Sequence, residues 1–484
     1  MEKICNYIGG KLVNPVDGKY MDNYCPSNGK PYSLVPVGSE DDVSAAINCA
    51  KRSFENWGSS TREYRYGWLM KLADAIDKNL EKLALAESLD NGKPEWLAKK
   101  IDIPRCAANL RFFATAILHL DSKSHNMDGE AMNYTIKQPI GVAGCISPWN
   151  LPLYLLTWKI APALAAGNTV VAKPSEITPY TAYLFSEICI DIGFPEGVIN
   201  IVHGQGDIVG ASIVKNCDVV SFTGGTDTGR LVAANAAHDF KKCSLELGGK
   251  NPTIVFGDAD FDLSVKNSVK SAFLNQGQIC LCGSRVFVEE SIYDSFKKSF
   301  IKEAKMLKVG CPKEVSTNLG AIVSEKHLNS IFSKIENAIK NGAIVAAGGK
   351  KVVLPGDLSS GYFMEPTVLL NTKNTDSINQ EEVFGPVVTI MPFKNEKDLI
   401  KMCNDVKYGL SASIFSQNIS KANRVAAKIN AGVVWINTWL LRDLRIPFGG
   451  MKGSGLGREG GYYSLDFFTE TKNVCFKIEK DDNK

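Results

Sequence analysis

The chain has 484 residues, of which 44% are hydrophobic and 22% are charged, and its formal net charge at pH 7 is +3. This length and composition predict two or three globular domains and exclude disordered, collagen-like and mucin-like proteins. The 55 basic and 52 acidic residues are spread along the chain. The sequence therefore has no basic patch of the kind that would predict a nucleic-acid or anionic-membrane partner.

The sequence also contains no signal for membrane insertion, export or metal binding. No apolar run approaches the roughly 20 residues of a bilayer span, and the N-terminus lacks the apolar core of a secretory signal. The 13 cysteines are irregularly spaced without a Cys-x-x-Cys pair, and the five histidines form no zinc motif. We therefore expect no metal, no disulfide framework and a reducing, cytoplasmic location.

In chain order, the first predicted element is a hairpin turn at Gly9-Gly10, and residues 55–116 are predicted to be mostly helical. From Gly141 onward, strands and helices alternate. The strands are predicted at 142–146, 169–172, 198–202 and 219–222. The intervening helices are predicted at 152–166, 179–192 and 208–214, and an alanine-rich helix follows Thr226. This alternation predicts a parallel sheet with right-handed crossovers.

A second α/β stretch begins near Asn251, which predicts two α/β domains joined near residue 248. Its strands are predicted at 253–256, 286–288, 387–391 and 433–436. Its helices are predicted at 263–273, 292–306, 327–339 and 423–429. Residues 480–484 are predicted to form a solvated tail.

Three polar residues are candidates for covalent chemistry on an aldehyde. Cys280 follows Gln-Gly-Gln-Ile and precedes an apolar strand, Glu246 lies in Leu-Glu-Leu-Gly-Gly-Lys, and Asn150 lies in Pro-Trp-Asn. A thiol can form a covalent adduct, an amide can stabilise an oxyanion, and a carboxylate can activate water. Taken singly, each has an ordinary interpretation: a buried cysteine, a strand-end glutamate and an asparagine in a turn.

These residues belong to seven blocks that together resemble the aldehyde dehydrogenase superfamily over nearly the whole chain. The blocks are Pro148-Trp149-Asn150, Lys173-Pro174-Ser175-Glu176, Phe222-Thr223-Gly224, Glu246-Leu247-Gly248-Gly249-Lys250, Gln276-Gly277-Gln278 before Cys280, Glu381-Glu382-Val383-Phe384-Gly385-Pro386 and Pro447-Phe448-Gly449-Gly450. The resemblance implies an α/β fold with a Rossmann-type NAD-binding domain (residues 1–117 and 139–248), a catalytic domain (249–450) and a small β oligomerisation element (118–138 and 451–484). It also implies a homodimer or homotetramer.

The resemblance further implies the roles of individual residues. Cys280 would be the nucleophile, Glu246 the base that activates water, and Asn150 the oxyanion donor alongside the Cys280 backbone N–H. The implied NAD-binding residues are Ile146, Ser147, Trp149, Lys173, Ser175, Glu176, Gly206, Phe222, Thr223, Gly224, Gly225, Leu247, Glu382 and Phe384. A carboxylate at Glu176 can accept hydrogen bonds from a ribose 2′-hydroxyl and would repel a 2′-phosphate, which favours NAD over NADP.

Two arginine-bearing segments indicate the kind of aldehyde. Arg105 and Arg442 match carboxylate-binding positions of the subgroup that oxidises 2-aminomuconate 6-semialdehyde in tryptophan catabolism by the kynurenine route. Arg111 and Arg445 match less clearly. Guanidinium groups at a substrate channel would bind a carboxylate. Structural salt bridges, for example with Asp102 or Asp443, are the alternative. The apolar channel positions are Leu151, Trp158 and Phe448.

Several other functions stay open at this point. The competing substrates are 2-hydroxymuconic semialdehyde and retinal, or a broad range of aldehydes, although retinal has no carboxylate for two arginines to bind. A CoA-acylating enzyme would not need Glu246 as a hydrolytic base. A catalytically inactive structural relative would usually have lost part of the Cys280, Glu246 and Asn150 set.

Overall fold

The computed structural model describes residues 1–479, so the tail predicted at residues 480–484 lies outside the described residues. Two large sheets, one of eight strands and one of seven, organise the protein, and a separate three-stranded antiparallel sheet lies beside them. Within the described residues, no helix is both long enough and apolar enough to cross a bilayer.

Five parallel strands form the centre of the eight-stranded sheet. In spatial order they are Lys242–Glu246, Val219–Thr223, Val142–Ile146, Thr169–Lys173 and Ile199–Ile201. Counted along the chain, this order is fifth, fourth, first, second and third, which is the strand order of a Rossmann-type sheet. The order reverses between the first and fourth strands, and open parallel sheets bind ligands at the carboxyl ends of such a pair.

Short antiparallel strands close both edges of this sheet. Asn6–Ile8 and Lys11–Val13 form one edge as a hairpin. Gly9 and Gly10 between them have φ values of 62° and 83°, as a two-residue turn of this kind requires, so the predicted hairpin is confirmed. Gly455–Leu456 forms the opposite edge, beside Lys242–Glu246.

Helices cover this sheet and form the region before it, as the sequence predicted. They are Glu40–Ser59, Arg62–Lys78, Leu80–Asn91, Glu95–Leu97, Ile103–Leu118, Pro152–Ala165, Tyr180–Asp191, Ala211–Asn216 and Thr226–His238. Wider π-type turns at Ala98–Asp102 and Gly206–Gly210 lead into two of them. The Pro152–Ala165 helix starts at a proline, which is well tolerated in a first turn, and Gly167 behind it has φ 95°.

Six of the seven strands in the second sheet are parallel. In spatial order the strands are Ile344–Ala347 (antiparallel), Thr367–Leu370, Val387–Phe393, Arg285–Glu289, Pro252–Val255, Ser411–Phe415 and Val433–Ile436. The strands at 367–370 and 411–415 were not predicted. Ser411–Phe415 is buried throughout, so its sequence shows no alternation of polar and apolar residues.

Four helices of the second half were predicted and differ from the prediction only at their ends, whereas those at 377–380, 396–404 and 461–467 were not predicted. The helices of this half are Phe261–Phe273, Tyr293–Met306, Glu325–Lys340, Ser377–Gln380, Glu396–Asn404, Ile419–Ala426 and Gly461–Phe467. The helix predicted at 423–429 begins earlier because Asn418 caps it, accepting a hydrogen bond from the backbone N–H of Lys421.

The remaining strands form small sheets. Thr469–Lys477, Ala131–Pro139 and Ser124–Asn126 make the three-stranded antiparallel sheet, in the region where the resemblance implied a small β element. Glu2–Lys3, Lys30–Pro36 and Tyr20–Cys25 form an N-terminal sheet. Two short pairs complete the set: Lys351–Val352 with Phe363–Met364, and Tyr408–Gly409 with Met451–Lys452.

Candidate active site

Two cavities meet at the side chains of Cys280 and Glu246, and each has a volume of about 220 Å³. We call the one lined by Arg105, Arg442 and the Pro152–Ala165 helix the arginine cavity. We call the one lined by Gly224, Gly225 and Gly248 the glycine cavity. Glu246 ends a strand of the eight-stranded sheet, and Cys280 lies in the turn before the strand Arg285–Glu289 of the seven-stranded sheet. The site therefore lies where the two halves of the molecule face each other.

The segment that carries Cys280 has unusual backbone geometry just before the cysteine. Asn275, Gln276 and Gly277 all have left-handed φ values, of 52°, 57° and 68°. A Cβ atom on Gly277 would lie 2.1 Å from the carbonyl oxygen of Gly385, so only glycine fits there. The Gln276 amide donates to the carbonyl of Ala321 at 3.2 Å. Polar side chains thus hold a conformation that costs about 1–3 kcal/mol at each non-glycine residue.

Asn251 fixes the backbone on the other side of Cys280. Its amide nitrogen donates to the carbonyls of Cys280 at 2.7 Å and Cys282 at 2.9 Å, while its amide oxygen accepts from the Ser411 N–H at 3.0 Å. Trp439 donates its indole N–H to the carbonyl of the intervening Leu281 at 2.9 Å. The cysteine therefore sits on a backbone that is hydrogen-bonded on both sides of it, with part of its surface open to the cavities.

Burial controls the protonation of both reactive groups. Burial, followed by the nearby Glu382 and Glu246 carboxylates, raises the pKa of the Cys280 thiol, while Arg442 opposes the rise. Burial, followed by the Glu459 carboxylate, raises the pKa of Glu246 well above its ordinary 4.5. The resting thiol is therefore protonated, and a base such as Glu246 must remove its proton before it can attack.

Asn150 is held through both its backbone and its side chain. Its carbonyl accepts hydrogen bonds from the Lys93 ammonium at 3.1 Å and from the Asn275 amide at 3.2 Å. Its own amide nitrogen donates to the carbonyl of Gln278 at 2.9 Å. Because an amide NH₂ carries two hydrogens, the second remains for another acceptor. Asn150 lines the glycine cavity next to Cys280.

Lys93 belongs to a fully buried cluster of charged side chains next to Asn150. Its ammonium lies 2.6 Å from Asp102 and 3.7 Å from Glu87, and all three side chains are at most 2% exposed. Burial raises the pKa of Glu87 to about 7, with Lys93 opposing the rise. The cluster joins the helix before residue 93, the wall of the arginine cavity at Asp102 and the backbone of Asn150.

Arg105 and Arg442 both line the arginine cavity, together with the predicted Leu151, Trp158 and Phe448. The guanidinium of Arg105 lies over the ring of Tyr154 at 5.8 Å, and that of Arg442 donates to the Tyr154 hydroxyl at 3.1 Å. Arg442 also lies over the rings of Trp158 and Phe448, at 5.5 and 4.0 Å from the ring centroids. Aromatic rings thus orient both cations.

The alternative salt bridges do not form. Asp102 pairs with Lys93 rather than Arg105, and Asp443 pairs with Arg445 rather than Arg442. Within residues 1–479, no carboxylate lies within salt-bridge distance of Arg105 or Arg442.

The two less certain arginines have structural partners outside the cavity. Arg111 pairs with Asp74 and Asp77 on the neighbouring helix, each at 2.6 Å. Arg445 pairs with Asp443 at 2.6 Å. Neither lines the arginine cavity. Local carboxylates therefore pair with both of these arginines outside the cavity, in contrast to Arg105 and Arg442.

The glycine cavity has the features that a dinucleotide needs. Gly225 precedes the Thr226–His238 helix, and a Cβ atom there would meet nothing within 4 Å, so the backbone leaves room for a phosphate at a helix N-terminus. The hydroxyls of Ser147 and Thr223, which follow the first strand and end the fourth, are buried without a hydrogen-bond partner among the described residues. They lie at the strand pair where a Rossmann-type sheet binds its ligand.

The predicted cofactor residues divide into two groups. Those that line the glycine cavity are Trp149, Thr223, Gly224, Gly225, Leu247, Glu382 and Phe384. Those placed at the ends of neighbouring strands or in the loops beyond them are Ile146, Ser147, Lys173, Ser175, Glu176, Gly206 and Phe222. In the second group, Lys173 donates to the Glu176 carboxylate at 2.9 Å, whereas Phe222 packs into the core and touches Gly224.

Glu382 is positioned for a ligand at the inner end of this cavity. Its carboxylate accepts from the Gly249 N–H at 2.9 Å, and burial raises its pKa to about 7. A Cβ atom on Gly248 would lie 2.2 Å from it, so glycine is required for this approach.

Sequence reasoning missed several residues of the site. Tyr154 lies four residues before Trp158 on one helix, so helical spacing could have placed both on the cavity face. Lys270 also lines the arginine cavity. Lys159 and Glu459 form a buried pair at 3.0 Å whose members are 300 residues apart, which no local pattern shows.

Comparisons with known proteins identify the class of the molecule. The model of the "Aldehyde dehydrogenase family" matches residues 13–474, and the chain belongs to this family. A 2-aminomuconic semialdehyde dehydrogenase of Danio rerio is 48% identical over 477 residues, covering 98% of both chains. A 2-hydroxymuconic semialdehyde dehydrogenase of Pseudomonas sp. (strain CF600) is 41% identical over 486 residues, covering 99% of this chain and 100% of that one.

A solved structure agrees with this assignment. The NAD⁺ complex of an aldehyde dehydrogenase from Bacillus cereus is 38% identical and superimposes with a TM-score of 0.96. The match covers 99% of this chain and 97% of that one.

The buried cluster yields a stability prediction. Lys93→Met should lower the free energy of unfolding by about 3–5 kcal/mol, because Asp102 would remain buried without its counter-charge. Urea denaturation measures the change. Lys99→Met is the matched control: Lys99 pairs with Glu81 at the surface, so its loss should cost no more than about 1 kcal/mol. Equal effects of the two substitutions would contradict the assigned role of the cluster.

Proposed function

We propose that the protein oxidises an aldehyde to a carboxylic acid with NAD, and that its substrate carries a carboxylate remote from the aldehyde. The observation that carries this proposal is the meeting of a dinucleotide-type cavity and an arginine-lined cavity at one cysteine, Cys280. The aldehyde would enter from the arginine cavity and the nicotinamide from the glycine cavity. NAD, when bound there, would accept the hydride.

In this mechanism Cys280 attacks the aldehyde carbon. Glu246, which lines both cavities beside it, takes the thiol proton, and the raised pKa of Glu246 makes it a better proton acceptor than an ordinary carboxylate. The oxyanion formed on the substrate accepts hydrogen bonds from the Asn150 amide and the Cys280 backbone N–H. Asn150 is suited to this because Lys93 and Asn275 fix its backbone before the substrate arrives.

Release of the acid requires water. Loss of hydride leaves a thioester on Cys280. Glu246 releases the thiol proton to solvent and then removes a proton from the water molecule that attacks the thioester. The water oxygen becomes part of the carboxylic acid, and the Cys280 thiolate leaves. Glu246 thus serves both half-reactions, which supports hydrolysis rather than transfer to CoA.

The two free guanidinium groups support a carboxylate-bearing substrate. Removing a cation from water without a counter-ion is unfavourable, so two cations in one half-buried cavity favour an anionic ligand. We propose 2-aminomuconate 6-semialdehyde as this ligand, in tryptophan catabolism by the kynurenine route. The 48% identity to the fish enzyme supports this choice. 2-Hydroxymuconic semialdehyde is the second candidate, supported by the 41% identical bacterial relative.

We also propose the domain roles implied by the family. Residues 1–117 and 139–248 would bind NAD, 249–450 would carry the catalytic cysteine, and 118–138 with 451–484 would join copies of the chain into a dimer or tetramer. The exposed antiparallel strand Thr469–Lys477 supports such a joining element. Glu176 supports a preference for NAD over NADP. Thirteen free thiols support a reducing, cytoplasmic location.

The direct test is NADH formation by the purified protein. The substrates are 2-aminomuconate semialdehyde generated in situ, 2-hydroxymuconic semialdehyde, retinal and hexanal. We expect kcat/KM to be highest for the two muconic semialdehydes. In Arg105→Gln and Arg442→Gln, their kcat/KM should fall at least about tenfold, since each charge-assisted bond contributes about 1.5–3 kcal/mol.

The surface arginine Arg111, paired with Asp74 and Asp77, supplies the control, and Arg111→Gln should keep the substrate preference. Comparable kcat/KM for hexanal and the muconic semialdehydes would contradict carboxylate recognition. No NADH from any aldehyde would contradict the enzyme assignment as a whole.

A second prediction concerns pH. Glu246 acts as a base only when deprotonated, and its pKa is raised, so kcat should fall as the pH is lowered through a value well above 4.5. Glu459→Gln removes a charge that raises this pKa and should move the acid limb of the kcat–pH profile to lower pH. An unmoved limb, or one that moves to higher pH, would show that Glu246 is not the titrating base.

A further inference from the structure

A third cation lines the arginine cavity from a separate wall. Lys270 lies in the last turn of the Phe261–Phe273 helix, and its side chain is exposed to the cavity. Within the part of the chain that the structure describes, no carboxylate lies within salt-bridge distance of it, as for Arg105 and Arg442. The three cations therefore come from two helices and one loop and converge on a single space.

The acidic residues of the same cavity do not balance these charges. Asp102 pairs with Lys93 behind the wall at 2.6 Å, and Glu459 pairs with Lys159 at 3.0 Å. Glu246 has a raised pKa, so burial favours its neutral form. Lys93 and Lys159 thus neutralise the negative charges of Asp102 and Glu459. The cations that face the open volume have no such compensation.

Lys270 is also placed away from the reacting end of the cavity. Leu274 follows Lys270 by one helical turn, packs together with Cys280 against one apolar cluster, and lines the same cavity. One helical turn is about 5.4 Å. An aldehyde carbon at Cys280 would therefore place the far end of the substrate, rather than its aldehyde, near Lys270.

We propose that Lys270 is a specificity-determining residue for a second anionic group at the far end of the substrate. Arg105 and Arg442 bind the first carboxylate, as in the proposed function on which this inference rests. A single carboxylate can accept hydrogen bonds from two guanidinium groups, which leaves Lys270 to pair with another anionic oxygen. The cavity thus fits aldehydes whose far end carries two carboxylates, or a carboxylate beside an ionised enol as in 2-hydroxymuconic semialdehyde. Since 2-aminomuconate 6-semialdehyde has one carboxylate and no second anionic group, Lys270 extends the range of substrates beyond it.

The test compares three aldehydes built on the same six-carbon chain: hexanal, 6-oxohexanoate, and (4-oxobutyl)malonate, which is 6-oxohexanoate with a second carboxylate on C2. They carry zero, one and two carboxylates. The rate of NADH formation gives kcat/KM for each with the wild type, Lys270→Gln and Lys266→Gln. Lys266 is the matched control, because it is an exposed lysine one turn earlier on the same helix that does not line the cavity.

We expect the wild type to prefer the malonate over 6-oxohexanoate. In Lys270→Gln, the ratio of the two kcat/KM values should fall about tenfold, whereas in Lys266→Gln it should stay within about twofold of the wild-type ratio. An unchanged ratio in Lys270→Gln would overturn the proposal, as would an equal loss on all three aldehydes. An equal loss on both anions would also overturn it, because that result describes general attraction of anions to the cavity mouth.

The same measurements separate this inference from the proposed function. If the wild type oxidises 6-oxohexanoate no better than hexanal, carboxylate recognition itself fails. If it prefers 6-oxohexanoate over hexanal but gains nothing from the second carboxylate, only the role of Lys270 fails.

Discussion

The left-handed backbone at residues 275–277 is the constraint on which the site depends. Three consecutive residues in this conformation are unfavourable, and Gly277 is pressed against the Gly385 carbonyl, so the turn persists only because its surroundings fix it. The Asn275 amide that holds the turn donates to Asn150, and Asn150 in turn donates to Gln278. The proposed nucleophile and the proposed oxyanion donor are therefore positioned by one network.

That network extends into the charges behind the cavity. Lys93 donates to the same Asn150 carbonyl and pairs with Asp102, whose other side faces the arginine cavity. Two contacts, from Asp102 to Lys93 and from Lys93 to Asn150, thereby connect the lining of the arginine cavity to the proposed oxyanion donor. Rigid support of this kind lets an oxyanion donor act without reorganising during the reaction.

Acidic and basic side chains occupy different parts of the cavities: acids lie near Cys280, and arginines that are unpaired within residues 1–479 line the arginine cavity. Acids near the reacting cysteine are buried, so their pKa values rise and they become useful as bases. Arg105 and Arg442 meet aromatic rings instead of carboxylates. Aromatic contacts orient a guanidinium without neutralising it, so its attraction remains available to a substrate anion.

Much of this could be predicted from the sequence. The glycine-rich blocks and the alternation of strands and helices predicted the parallel sheet, because backbone geometry constrains which residues fit locally. The partners of the arginines could not be predicted from the sequence. Asp102 is close to Arg105 in sequence and suggested a salt bridge between them, but in the structure Asp102 pairs with Lys93. The ion pair between Lys159 and Glu459 could not be predicted either, because these residues are far apart in sequence and only the fold brings them together.

The central claim is that Cys280 forms the covalent intermediate and Glu246 hydrolyses it. The most direct measurement is the mass of the Glu246→Gln protein after mixing with NAD and 6-oxohexanoate at a pH high enough to ionise the thiol. The account predicts at most one NADH per active site and a mass gain equal to the aldehyde less two hydrogens, located on Cys280 by fragmentation of the peptide that also contains Cys282. Continued turnover, or an adduct located on Cys282 instead, would contradict it.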